Sequence, residues 1–352
     1  LILGYPLNQK TLFKNIKLVK PGYLELFKGK TYTKKPYYFV EKINLPKNKL
    51  IDYFFEISAR NFNYISNHNG NEDIGISLTG GGDTRVILNS VLKSSLPIIT
   101  FTGYDDKNSS TFHDKKRALN IANKLGLKHH NVDFTLFDNN LIQNVMDISG
   151  GNQIGHWMAS LSTYASNHTN ILYFGFDGDI IAGSSEISLK GNEISSIAKS
   201  LLALKTYYKS LTIESILSWT TYDIEGFFKE YLSTYNDYRN EDIYEQYFLQ
   251  EKNERSFRRI ASFADGAKLG VTPVNFFHDK HIFDFYRGLP LSLRKNEKLH
   301  HQLGAFGNKT LSRIPSANRL EIPHFMMPHI KTLLNNNFAK HIFKKIKGKK
   351  SP

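Results

Sequence analysis

Short apolar strands alternating with helical patterns across the middle of this 352-residue chain predict an α/β fold, a parallel sheet with helices on both faces. Two observations carry this expectation. The runs from Ile74 to Leu78, Leu96 to Thr102, Lys128 to Val132 and Ile171 to Gly175 have strand length, and the stretch from His113 to Leu125 between two of them reads as a helix closed by Gly126. Two of the runs also end in glycine-and-acid turns, Thr79-Gly80-Gly81-Gly82-Asp83-Thr84 and Gly175-Phe176-Asp177-Gly178-Asp179. Ligands gather at the carboxyl ends of strands in such sheets, which is where both turns fall.

The flanking elements follow in chain order. Gly22 to Phe27 alternates before a Lys28-Gly29-Lys30 turn, and Thr31 to Val40 forms its returning partner. Leu45-Pro46 reads as a linker, Lys49 to Tyr64 as a helix, and His68 to Asn71 as a loop. Asn192 to Phe263 is mostly helical, with a basic cluster at Arg255, Arg258 and Arg259. Ile330 to Ile346 sets Leu333, Leu334, Phe338, Ile342, Phe343 and Ile346 near one helical face and lysines on the other, an ordinary amphipathic helix. Residues 1–47 form one unit and residues 48–352 the main domain, and there is no internal repeat.

Composition narrows the function classes. At 40% hydrophobic and 22% charged residues, the chain is an ordinary globular protein. The absence of cysteine excludes disulfides, zinc–thiolate sites and a thiol nucleophile. No run is apolar enough to span a bilayer and there is no signal-peptide pattern, so a cytoplasmic protein is expected. The net charge of +14 comes from scattered lysines, and neither nucleic acid nor membrane is expected as a partner on that basis.

The glycine turn after Ile74–Leu78 carries the chemistry. Three successive glycines let the backbone approach a ligand and aim N–H groups at one point, and the positive end of the following helix adds to them. Such a site suits phosphate, and Asp83 beside phosphate implies a divalent cation. No lysine follows the glycines, so this is not a Walker loop, and their contiguity rules out the dinucleotide fingerprint. His129-His130, His300-His301 and His278 with His281 lack a clearly spaced acidic partner and read as surface or structural histidines.

Thr79-Gly80-Gly81-Gly82-Asp83-Thr84-Arg85 resembles the pyrophosphate loop of the N-type ATP pyrophosphatases, Ser-Gly-Gly-x-Asp-Ser, and with Leu78 and Arg85 it looks like that of the asparagine synthetase family. Gly175 to Gly183 is similar to that family's Gly-x-Gly-x-Asp-Glu segment with its trailing glycine. Phe276-Phe277-His278-Asp279, then Phe285 and Leu289-Pro290, resembles its Pro-Phe-Leu-Asp…Leu-Pro block. Leu3-Gly4, Thr11-Leu12-Phe13, Ile16 and Pro21-Gly22 resemble the last part of the family's glutaminase domain, which makes residues 1–47 a remnant of it. The resemblance runs in order along nearly the whole chain.

It implies a Rossmann-like, adenine nucleotide alpha hydrolase-like fold and an ATP- and Mg²⁺-dependent ligase that forms an acyl-AMP and transfers ammonia or an amine to it. By this resemblance the backbone of Gly80, Gly81 and Gly82 and the hydroxyls of Thr79 and Thr84 grip the phosphates, and Asp83 with Asp179 holds Mg²⁺. Backbone groups near Leu78, Thr100, Phe101 and Gly175 frame the adenine and ribose, and Lys298 supports the departing pyrophosphate. Ammonia would come from glutamine through a missing domain or a separate subunit, since the family's nucleophilic cysteine is absent. The Leu1 start favours a fragment.

There are departures. Ile180 stands where the family has Glu, Phe176 where asparagine synthetase has an acidic group near its aspartyl substrate, and Asp177 in place of the second glycine. Asp177 is therefore a candidate for serving a different acceptor. Three readings stay open at this point: an asparagine synthetase-like ligase, a relative acting on a lactam-forming, peptide or surface-polysaccharide carboxylate, and a non-catalytic or nucleic-acid-binding relative.

Overall fold

The computed structural model of the chain describes residues 7–11, 13–68, 73–135, 139–148, 156–183, 224–236, 243–294 and 297–315. The helix expected from Ile330 to Ile346, and the pair Lys295-Asn296, lie outside the described residues. Residues 1–41 with 186–261 form one compact unit, and residues 42–185 with 262–352 form another.

In the first unit, β1 (Tyr23–Lys28) and β2 (Thr31–Pro36) make an antiparallel hairpin with Lys28 opposite Thr31. The segment before it is tied to helical structure. The backbone N–H of Asn8 donates to Glu254 Oε2 at 3.0 Å, and Lys10 pairs with Glu230 at 2.5 Å. Those carboxylates sit on a π-helical stretch, Glu251–Ile260, and on the helix Ile224–Ser233, in agreement with the helical reading of that region.

The second unit holds the sheet. Its elements run α1 (Lys47–His68), β3 (Ile74–Ser77), α2 (Gly82–Lys93), β4 (Ile98–Tyr104), α3 (Ser109–Leu125) and β5 (Lys128–Asp133). Then come α4 (Asn139–Ile148), α5 (His156–Ala165), β6 (Ile171–Phe174), α6 (Gly178–Ile181) and, later in the chain, β7 (Thr272–Asn275). The strands order β5-β4-β3-β6-β7 and every pairing is parallel, as the alternation of strand and helix requires.

Side chains decide which face each helix covers. Ile99 and Phe101 of β4 and Leu172 and Phe174 of β6 pack with Met158, Leu161 and Ala165 of α5. Burying each of the larger of these contributes about 1.5–3 kcal/mol. The alternate β4 residues, Thr100 and Thr102, face away from that cluster and satisfy their hydroxyls on Lys128 and Leu78 carbonyls. Elsewhere in this unit, α1 contributes Phe54, whose ring lies 5.2 Å from that of Phe285 and 6.3 Å from that of Phe276. No helix of the described residues is long and apolar enough to cross a membrane.

β7 was not among the expected strands. It has only four residues and contains Pro273, opposite Leu172. An edge strand bonds on one side only, so a residue without an N–H is tolerated there.

The helix after the glycine turn is fixed by one buried charge. Arg85 is 0% exposed, and its Nε donates to Gly80 O at 2.9 Å. Its Nη1 reaches Leu311 O at 2.9 Å and Ile314 O at 3.1 Å, and Nη2 donates to Pro315 O. Burial, and secondarily the nearby Arg117, lowers its pKa to about 10, so it stays charged at neutral pH. Arg85 thus joins the turn to the end of the helix Lys309–Arg313. Arg85→Met, which keeps the bulk and removes the donors, is expected to lower the unfolding free energy by roughly 2–4 kcal/mol in urea titrations. A loss within about 0.5 kcal/mol would show that these carbonyls need no cation.

Behind the turn, Asp114 and Arg117 lie 3.7 Å apart on α3. Burial raises the Asp114 pKa to about 6, while Arg117 pulls it back. An acid whose folded pKa exceeds its unfolded value is held at a cost once ionised, so this contribution to stability falls as pH rises through the interval between the two pKa values. Asp114→Asn is therefore expected to match the wild type near pH 4 and to exceed it by about 1 kcal/mol at pH 7, allowing for the partial exposure of the pair. Urea midpoints of both proteins across pH 4–7 measure the difference, and a constant difference would refute it.

Candidate functional site

Strand order places the two glycine-acid turns together. β4 lies on one side of β3 and β6 on the other, so the chain changes direction across the sheet between β3 and β6. The carboxyl ends of two strands flanking such a point open a crevice. The turn from Leu78 to Gly81 leaves β3 there, and Gly175 to Asp177 leaves β6 beside it.

The first turn is a nest at the start of α2. Gly81 occupies the N-cap position with no side-chain cap, whereas α3 is capped by Asn108 accepting from the Ser110 N–H. An N-terminus capped by no side chain, on a twelve-residue helix, is suited to an anion. Thr79 Oγ1 accepts from the Gly81 N–H at 3.3 Å and lies 3.4 Å from Thr84 Oγ1, which brings the two hydroxyls to the same turn. Gly80 sits at φ 77°, and a Cβ there would come within 2.8 Å of Arg117 Cβ, so the position demands glycine on both grounds.

The second turn abuts the first through Asp83. A Cβ on Gly178 would lie 2.6 Å from Asp83 Oδ1 and 2.6 Å from Phe277 Cε2. A Cβ on Gly175 would lie 3.1 Å from Asp83 Cβ. The residue preceding Asp179 is therefore in contact with the Asp83 carboxylate. Asp179 is exposed in the first turn of α6, and its Oδ1 accepts from the Ile180 N–H at 2.8 Å. Carboxylate oxygens are the donors a hard divalent cation takes, so Asp83 and Asp179 are the pair at these adjoining turns that could hold one. No cluster of three or more His, Asp or Glu side chains that could hold a metal occurs among the described residues.

The remaining expected residues divide. Leu78, Thr100 and Phe101 are 0% exposed. Phe101 stands opposite Ser77 and its carbonyl accepts from the Leu78 N–H at 2.8 Å, so Thr100 and Phe101 belong to the body of the sheet. β4 continues past them to Gly103 and Tyr104, and these end the strand. Lys298 is exposed at the start of the helix Lys298–Leu303, two residues before a buried His300. Asp177 is 4% exposed with φ 65°, and its Oδ2 lies 2.6 Å from His278 Nε2.

Of the two readings of the histidines, surface or structural, His300 takes the structural one: it is buried, its Nε2 is 2.7 Å from Asp83 Oδ1, and its Nδ1 is 2.8 Å from the Tyr286 hydroxyl. His301 is 3% exposed and pairs with Glu297 at 3.2 Å. Sequence spacing could not show this, because 217 residues separate His300 from Asp83. Asp279, by contrast, is a helix cap: Oδ1 accepts from the N–H groups of His281 and Ile282, and Oδ2 from Asn61.

Phe176 and Ile180, where the sequence differs from the asparagine synthetase pattern it resembles, are both packed against neighbours. Phe176 stacks on Phe174 at 5.6 Å and meets Trp157 edge-on at 6.3 Å. Ile180 is 8% exposed, facing inward where a glutamate would be desolvated.

No family model matches the chain, and no curated protein matches its sequence. Among solved structures, the chain is similar to an NH3-dependent NAD synthetase from Campylobacter jejuni, at 12% identity and a TM-score of 0.30, over 60% of this chain and 95% of that one. An NMN synthetase from Francisella tularensis matches at 14% identity and a TM-score of 0.30, over 59% of this chain and 95% of that one. Likeness at this level bears on neither activity nor substrate.

The contact between the turns is testable without a ligand. Gly178→Ala is expected to cost about 1–3 kcal/mol of stability through overpacking. Part of that cost should vanish in an Asp83→Ala background, where the carboxylate it strikes is gone. Strict additivity of the two substitutions in a double-mutant cycle would mean that Gly178 and Asp83 do not touch.

Proposed function

We propose that this protein is an ATP- and Mg²⁺-dependent ligase that adenylates a substrate carboxylate and transfers the acyl group to ammonia or an amine, in the manner of the asparagine synthetase family. The observation that carries the reading is the meeting of the two glycine-acid turns at the carboxyl ends of β3 and β6, with Gly178 against Asp83.

Each residue then has a physical task. The backbone from Gly80 to Gly82 and the hydroxyls of Thr79 and Thr84 hold the β- and γ-phosphates, and the α2 N-terminus supplies positive potential. Asp83 and Asp179 are the residues that would hold Mg²⁺, and that ion would supply neutralising charge for the departing pyrophosphate. With the phosphates fixed, a substrate carboxylate oxygen bonds to the α-phosphorus as the bond to the pyrophosphate oxygen breaks. An amine then adds to the acyl carbon, AMP leaves, and the amine gives up a proton. Asp177 with His278 forms a carboxylate–imidazole pair at the carboxyl end of β6, in reach of neighbouring β7, and suits that last proton.

The acceptor is a carboxylate other than aspartate. In asparagine synthetase the position of Phe176 is acidic and lies near the substrate, whereas here the ring is committed to the stack with Phe174. A lactam-forming, peptide or surface-polysaccharide carboxylate fits this departure.

ATP–pyrophosphate exchange, scanned over a panel of carboxylates with Mg²⁺, tests the reading. Exchange with at least one carboxylate is expected, and Asp83→Ala should reduce it by roughly two orders of magnitude or more. A wild-type chain that shows neither exchange nor Mg²⁺-dependent ATP binding is not this ligase, and steeply salt-dependent RNA binding in its place would favour a nucleic-acid-binding relative.

A further inference from the structure

His300 is buried against the glycine turn. A Cβ on Gly82 would lie 3.6 Å from its Cδ2, and its ring centroid is 5.5 Å from that of Phe277 and 5.7 Å from that of Tyr286. Its two nitrogens are engaged in opposite directions, Nε2 with Asp83 Oδ1 at 2.7 Å and Nδ1 with the Tyr286 hydroxyl at 2.8 Å.

The three groups admit a consistent arrangement of protons. A contact of 2.7 Å between a ring nitrogen and a carboxylate oxygen needs a proton between them, since two lone pairs at that distance repel. With Asp83 ionised, the proton is on Nε2. The neutral ring then presents Nδ1 as an acceptor. Tyr286 is fully buried, and burial, with the Asp83 and Glu297 carboxylates, holds its phenol well above its ordinary pKa, so it keeps its proton to donate. For the neutral ring the order is then Tyr286 O–H to Nδ1 and Nε2–H to Asp83 Oδ1.

We infer that His300 is a positioning residue for Asp83, and that Tyr286 selects the imidazole tautomer that holds the carboxylate in place for the cation of bound ATP. This rests on the reading of Asp83 as a ligand of that cation. The physical reason is entropic and electrostatic. A carboxylate at a turn must be fixed in orientation before it coordinates, and a neutral donor fixes it without placing a positive charge beside the metal. A lysine or arginine in the same place would compete with the cation for Asp83.

The test uses Mn²⁺ as the probe, with the full chain and ATP. Free Mn²⁺ is followed by electron paramagnetic resonance, and ATP affinity in EDTA is measured in parallel. His300→Ala is expected to weaken Mn²⁺ binding in the presence of ATP about tenfold and to leave ATP affinity in EDTA within about twofold. His300→Gln, whose amide N–H reaches Asp83, should restore most of the loss. Tyr286→Phe keeps the ring and, with His300 intact, should weaken Mn²⁺ binding about threefold. The same change should have little effect when combined with His300→Gln, because an amide has no tautomer to select.

Unchanged Mn²⁺ affinity in His300→Ala overturns the inference, as does an equal loss of ATP affinity in EDTA, which marks a purely structural role. Should His300→Ala not fold, Tyr286→Phe decides: wild-type Mn²⁺ affinity there overturns the inference. A wild-type chain that binds no ATP with Mn²⁺ brings down the ligase reading and this one together, and that outcome is visible in the wild-type control alone.

Discussion

The pairing of β3 with β6 is the constraint on which the rest of this structure depends. Only Gly75 opposite Leu172 and Ile76 opposite Tyr173 define its register. A Cβ on Gly75 would come within 2.7 Å of the Ile171 carbonyl, so the pairing relies on the smallest side chain at its closest approach. From that short contact follow the positions of both turns. β3 ends at Ser77 and β6 at Phe174, so the chain leaves the two strands side by side, and Gly175 and Gly178 receive Asp83 where larger residues would expel it. A slip of one residue would reverse every inward side chain of a strand that is buried on both faces.

The turn is then held from several sides by groups outside it. Arg85 spans from Gly80 to the carbonyls of Leu311, Ile314 and Pro315, and Arg117 packs behind Gly80. His300 reaches Asp83 from the helix Lys298–Leu303, and that ring is in turn seated on Tyr286 and Phe277. Charged hydrogen bonds of this kind contribute about 1.5–3 kcal/mol each, more than a neutral bond, because the partners are shielded from water. A loop built this way is rigid before any ligand meets it, and preorganised donors are the strongest ones because they need no reorganisation. The proposed ligase chemistry draws on this rigidity, because a loose Asp83 would surrender orientation entropy on each turnover.

How much of this was legible in the residues differs by element. The strands β3, β4 and β6 announced themselves because a buried strand is an apolar run with little else to read. β5 is largely polar and showed only through its place in the alternation, and in the glycine turn it is Gly80, at φ 77° against Arg117, that requires glycine. β7 did not, since Pro273 and a length of four residues argue against a strand unless its edge position is known. Thr100 and Phe101, set near the adenine and ribose by resemblance, lie in β4 with Phe101 opposite Ser77, where β3 ends, and β4 runs on to Tyr104. Phe176 and Ile180 looked like lost chemistry, and they are contributions to the core. The histidines carried least signal of all, because a neutral ring that donates to a carboxylate far away in sequence leaves no pattern in the chain.

By itself the sequence determined the fold class and marked the two glycine-acid turns, because apolar periodicity and glycine-rich turns are local properties. It also determined the absence of thiol chemistry, which is a matter of composition. Only the tertiary structure decided that the two turns meet, that Asp83 is held by His300, and that Asp177 is joined to His278. Those contacts link residues more than ninety positions apart, and they depend on strand order, which no local pattern encodes.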